Sequence, residues 1–272
     1  MNPYTGEVNG WIEGNAFFQT MRKLHRWLLN PPPQKGASSV GKMIVGISTL
    51  LMVVILISGL VIWWPRTHKA LNNRLKVSFR KGWRRFWYDS HVTLGFYSTL
   101  FLLVMALTGL TWSFGWYRSF AYGLFGGNTS KQAQTHGTSL PQKENDARTK
   151  KGGKKQTDYT AWDRAAQEVQ TKYTGYTSLR IEEKKIQVIQ RQQLRRTDTL
   201  KFNPKNGEIT ETTTYAEVPR AQKLKGWFYA FHTGDWGGIY TKVLYFLAAF
   251  VGGVLPLSGY YLWLKKKQRV TR

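Results

Sequence analysis

The sequence predicts an integral membrane protein of the α-helical class, with three transmembrane helices and a small extracytoplasmic α+β domain. Three observations predict it. Three runs of roughly twenty apolar residues, the length that spans a ~30 Å hydrocarbon core as a helix, are almost free of charge. Forty Lys and Arg against fifteen Asp and Glu leave a net charge of +25, and much of it sits in short stretches beside those runs. Between the second and third runs, a segment of mixed polarity changes from helical to alternating hydrophobic spacing.

The first span, residues 43–64, reads MIVGISTLLMVVILISGLVIWW and is closed by Pro65. The second, 92–116, reads VTLGFYSTLFLLVMALTGLTWSFGW, and the third, 243–264, ends against Lys265, Lys266 and Lys267. Each is one unbroken apolar run without period-two alternation, which predicts a helix rather than a barrel strand. Trp63, Trp64, Trp112, Trp116 and Trp263 stand at span ends, where amphipathic rings favour the interface.

Residues 65–91 form a basic connection with Asp89 as its one acid, and residues 265–272 form a basic tail. Both are expected in the cytoplasm, with the N-terminus outside. Residues 1–10 show no cleavable leader. Residues 11–42 read as an interfacial helix and linker, and 117–157 as a flexible external linker. The external domain covers 158–216: helical spacing over 159–173, then strands at 178–181, 185–191 and 197–202. The turn NPKNG (203–207) leads into a returning strand at 208–214. Residues 217–242 read as a second interfacial helix.

Parts of the chain repeat. NPYTGEV at 2–8 matches NPKNGEI at 203–209, so residues 1–10 read as the remnant of a first hairpin. Each copy precedes an aromatic-rich stretch with one histidine and then a span. The spans echo one another near their ends in Ser58-Gly59, Thr108-Gly109 and Ser258-Gly259. Small pairs of this kind let a neighbouring backbone or a flat ligand approach closely. A duplicated module is expected, and the chain reads as a late-starting form of a longer one.

Chemistry is restricted by what is missing. There is no cysteine, hence no disulfide, iron–sulfur cluster or thiolate metal site. No HExxH, GxSxG or glycine-rich phosphate loop occurs. Of five histidines, His136 falls in the polar linker and His68 in the basic connection, and both read as bystanders. His25, His91 and His232 each lie beside a span among aromatic residues, where ionisable groups are functional candidates by default; interfacial anchoring is the plain alternative. Imidazoles without thiolates suit iron or copper, above all haem with two axial imidazoles. The topology puts His25 and His232 at the outer face, where they are expected to pair on a haem iron. His91 lies at the inner face, where the chain offers only His68. Glu13, Asp89 and Asp235 stand near these histidines, with turn or cap roles preferred over ring-orienting ones.

The motifs NPYTGEV, LHRWLL (24–29), SGLVIWWP (58–65), HVTLGFY (91–97), TGL (108–110), FHTGDWGG (231–238) and SGYYLW (258–263) resemble those of PepSY-associated transmembrane proteins of the iron-regulated, siderophore-reductase-like kind. Residues 158–216 are similar to a PepSY module. The resemblance implies four spans, two extracytoplasmic modules and b-type haems held by histidines; this chain lacks the first span, its histidine and most of the first module. It therefore implies one haem b and leaves a second without its partner at His91. The expected function is electron transfer in the bacterial inner membrane, from a quinone or cytoplasmic donor to a ferric siderophore or other ferric chelate outside. The alternative is a membrane-anchored binding module without haem. The lipid bilayer is an expected partner, and nucleic acid is not.

Overall fold

The computed structural model describes residues 15–34, 37–127, 159–191 and 196–270. Residues 1–10, Glu13 and His136, with the readings made of them, lie outside this set. The described chain runs α1 (Asn15–Trp27), α2 (Val40–Trp63), α3 (His68–Arg74), α4 (Trp83–Ser113), α5 (Gly115–Leu124) and α6 (Thr160–Lys172). Four strands follow, β1 (Ser178–Glu182), β2 (Lys185–Arg191), β3 (Arg196–Phe202) and β4 (Ile209–Thr213), and then α7 (Arg220–Thr233) and α8 (Gly238–Val270).

Among the described residues three helices are long and apolar enough to cross a membrane: Val40–Trp63, Trp83–Ser113 and Asp235–Lys266, the last including the 3-10 turn Asp235–Gly237. α2 starts where the Ser39 side chain accepts from the Lys42 N–H at 3.2 Å, an N-cap. It stops ahead of Pro65, which disfavours helical backbone at the residue before it. α4 begins nine residues before the apolar run, because Trp83, Phe86 and Trp87 continue its helical face into the basic connection. At Phe114 the backbone turns extended (φ −120°, ψ 126°) and α5 starts as a separate helix, so the stretch read as linker from residue 117 is helical through Leu124.

α4 is the central element and packs on α2, α5, α7 and α8. Trp63 stacks on Phe96 with ring centroids 3.7 Å apart, and Gly46 admits the Phe114 ring at the other end of α2. Phe101 meets Tyr245, and Trp87 meets Tyr261. These pairs run in opposite sequence order, so α2 and α8 are both antiparallel to α4. Only 6% of the apolar stretch of α2 is buried by the described residues, against 28% for α4; α2 therefore leaves most of its apolar surface uncovered by them.

The sheet is a simple antiparallel meander, β1-β2-β3-β4, with Ile186 opposite Leu200 and Leu179 opposite Val188. Period-two alternation puts Ile186, Val188, Leu200 and Phe202 on one face, where they close on Ala165 and Val169 of α6. The helical face expected over 159–173 is the one buried. Asp198 also lies inside, at 4% exposure. It accepts from Gln190 Nε2 at 2.6 Å and from the Tyr215 N–H at 2.7 Å, and it hydrogen-bonds Tyr173. A buried carboxylate is tolerated because these donors replace water. Burial, reinforced by the Asp198 charge, raises the Tyr173 pKa above the usual phenol value. The β3–β4 turn closes at Gly207 with φ +80°, a conformation glycine adopts without Cβ strain, and the turn seats against the Ala161 carbonyl of α6.

Candidate functional site

α7 ends at Gly234, whose left-handed φ of 72° caps the helix and turns the chain towards α8. This directs the last turn of α7, with His232, onto α4. The half-buried His232 ring meets α4 through Nδ1, which lies 2.9 Å from the Met105 carbonyl oxygen and 3.2 Å from Thr108 Oγ1. A carbonyl only accepts, so Nδ1 carries the proton and Nε2 keeps its lone pair. Gly109 makes the approach feasible: a Cβ there would lie 3.2 Å from His232 Cε1. Trp112 meets the ring edge-on at 5.2 Å. Burial is the main cause lowering the His232 pKa below its ordinary value; the nearby His25 acts in the same direction, and the Met105 hydrogen bond opposes them. At neutral pH the ring is thus held in the uncharged form that binds metal.

His25 comes from the last turn of α1. Leu28 and Leu29 both adopt positive φ, 49° and 64°, a strained conformation for non-glycine residues. This tight reversal sends the chain towards α2. The joint is held by the Ser39 hydroxyl donating to the Asn30 carbonyl at 2.8 Å and by Gly41 lying against the Trp27 carbonyl. The result brings the exposed His25 ring to His232, with centroids 6.1 Å apart and planes inclined by 43°.

His91 occupies a matching seat at the other end of α4. Its Nδ1 lies 2.8 Å from Ser258 Oγ, and a Cβ on Gly259 would lie 3.4 Å from its Cε1. Thr108-Gly109 and Ser258-Gly259 therefore do the same thing: a hydroxyl meets Nδ1 and a glycine leaves room for the ring. Each hydroxyl also donates to a carbonyl three residues earlier, Thr108 to Met105 at 3.1 Å and Ser258 to Leu255 at 2.9 Å. Ser58 makes the same bond to Ile55 at 2.9 Å, but no described side chain comes within 4 Å of a Cβ position on Gly59. His91 and Gly109 are eighteen positions apart on α4, five full turns, so the two seats share one helix face about 27 Å apart along the axis.

The other candidates are placed elsewhere. His68 starts α3 and is exposed. Asp89 pairs with Arg85 at 2.8 Å and accepts from the Ser78 N–H at 3.2 Å. Asp235 pairs with Lys242 at 2.8 Å. Among the described residues neither carboxylate hydrogen-bonds a histidine ring; hydroxyls and a backbone carbonyl hold that place. The sequence carried their signal in the repeated small pairs, but spacing alone did not show that a histidine from another helix faces each. His25–His232 is the one histidine ring pair in contact among the described residues. No cluster of three or more His, Asp or Glu suited to a metal occurs among them.

The pair's separation has a simple chemical meaning. Two imidazoles on opposite sides of one ion, with metal–nitrogen bonds of about 2.0–2.1 Å, place their ring centroids roughly 6–6.5 Å apart. The observed distance falls in that range, and the Nε2 lone pair of His232 is the donor such an ion uses. Two protein ligands suffice for a haem iron, whose macrocycle supplies the other four. His25 and His232 are the residues that would hold that group.

No curated protein gives a significant match to the chain. The family model described as the PepSY-associated TM region matches residues 1–266. With nearly its whole length covered, the protein belongs to the PepSY-associated transmembrane family.

Proposed function

We propose that the protein is a haem b-containing electron-transfer protein of the bacterial inner membrane that reduces a ferric siderophore or another ferric chelate on the periplasmic side. The proposal rests chiefly on the meeting of His25 and His232, with Nδ1 of His232 committed to Met105. Haem held between them would supply one-electron Fe(III)/Fe(II) exchange. The chain's own residues supply the rest. Met105 and Thr108 fix the His232 tautomer, Gly109 gives the ring its space, and Trp112 covers one side of it. The α1–α2 reversal sets the reach of His25.

In this reading α1, α7 and the sheet domain face the periplasm, and the basic α2–α4 connection and the end of α8 face the cytoplasm. The electron donor, a quinone or a cytoplasmic reductant, acts at the His91 end. One electron converts ferric chelate to ferrous chelate, and the softer Fe(II) is held less tightly by hard oxygen ligands. The basic surface draws an anionic ferric complex to the domain side. A second haem at His91 is not proposed, because no described imidazole is in ring contact with it.

The test is reduction by the full chain in proteoliposomes. Haem-loaded protein, reduced with dithionite and freed of excess reductant, is mixed with a ferric hydroxamate, and Fe(II) is trapped by a chromogenic chelator. The expected result is Fe(II) formed in step with reoxidation of the protein, with at least a tenfold loss of rate in His25→Ala. Protein that takes up no haem, or that reoxidises no faster with the chelate than without it, would support the membrane-anchored binding module instead.

A further inference from the structure

The end of the bundle away from His25 and His232 contains a second built feature. A cleft of about 590 Å³ opens between the start of α4 and the last turns of α8, within the range of about 300–1,000 Å³ usual for small-ligand sites. Four cations edge it: Lys81, Arg84, Arg85 and Lys266. Its walls are Tyr88, Leu262 and Trp263.

Charge balance shows what the cleft lacks. Arg85 is paired with the nearly buried Asp89 and also lies over the Tyr88 ring, 5.5 Å from its centroid. Among the described residues, Lys81, Arg84 and Lys266 have no carboxylate within ion-pair distance. Three like charges around one concavity repel one another, and an anion placed among them relieves the repulsion.

The surroundings identify the anion's source. Trp263 is 56% exposed and Trp83 65%, and both stand where apolar helices meet the basic connection. Exposed indoles at span ends lie at headgroup level. Leu262 and Trp263 give the cleft an apolar wall continuous with the span, which a free anion has no use for and the glycerol and first acyl carbons of a lipid do. Basic pockets between membrane helices are suited to anionic headgroups. We propose that this cleft binds the headgroup of an anionic phospholipid from the leaflet on that side, with its phosphate among Lys81, Arg84 and Lys266 and its glycerol against Leu262 and Trp263. The site is independent of the histidine pair and of any haem.

The experiment uses the full chain in neutral detergent, stripped of lipid. Its thermal unfolding midpoint is followed while phosphatidylglycerol, phosphatidylcholine with the same acyl chains, or inorganic phosphate is added. Phosphatidylglycerol is expected to raise the midpoint at concentrations at least tenfold below those needed of phosphatidylcholine, and phosphate at matched concentration to have little effect. Arg84→Gln/Lys266→Gln shifts the phosphatidylglycerol titration to roughly thirtyfold higher concentration, whereas Lys205→Gln/Lys225→Gln, which removes two exposed cations elsewhere, leaves it in place. Equal titration by the two lipids, equal stabilisation by inorganic phosphate, or equal effects of the two double variants would each overturn the assignment. The comparison of ligands on the unaltered chain decides even if the first double variant folds poorly.

Discussion

Replacing His232 with alanine is expected to lower the haem content of protein purified from haem-replete cells at least tenfold, while His68→Ala leaves it unchanged. The contrast follows from position. His68 is exposed at the start of α3. His232 is the ring with the most fixed geometry, because Met105 and Thr108 hold Nδ1 and Gly109 admits the ring. On the proposed reading, its loss removes a ligand together with the orientation built around it. Thr108→Val tests the supporting shell. Outer hydrogen bonds to a ligating histidine are worth about 10–100-fold in metal affinity, and Met105 still holds the ring, so the effect belongs at the low end. The readout is the pyridine haemochrome absorbance per mole of protein. Equal haem in wild type and His232→Ala would place the cofactor elsewhere.

The second large effect is on stability. Leu200→Ala is expected to destabilise the sheet domain by about 2–5 kcal/mol, the range for truncating a buried leucine. Leu200 is completely buried and packs with Ile186, Val188, Phe202, Ala165 and Val169. A domain this small has little reserve against such a loss. None of these residues belongs to the histidine site, so haem absorbance should persist while amides of 178–191 and 196–213 lose protection in hydrogen exchange. Loss of absorbance in parallel with that protection would mean that the site depends on the domain core.

The spans were legible because lipid requires long unbroken apolar runs, and residues 43–64 carry that demand without interruption. The sheet was legible because alternation over 185–191 and 197–202 and the NPKNG turn are local signals. The start of α4 was not, since Trp83 to Ser90 mixes arginines with aromatic residues and its helical state comes from tertiary packing such as Trp87 on Tyr261. The turn at Leu28–Leu29 was hidden for a similar reason. Two leucines in left-handed backbone contradict local preference, and the contacts of Gly41 and Ser39 hold them there. At the site, the three histidines and the small pairs were both visible in the sequence. Their correspondence across helices, Thr108-Gly109 with His232 and Ser258-Gly259 with His91, is a long-range fact that spacing along one chain does not encode.

Pairing of His25 with His232 on one iron is the central claim, and low-temperature electron paramagnetic resonance of the oxidised, full-length protein tests it most directly. The account predicts a low-spin ferric signal characteristic of two imidazole ligands, lost from His25→Ala and from His232→Ala separately and kept in His68→Ala. A low-spin signal that survives both single substitutions, or colourless protein from haem-replete cells, would contradict it.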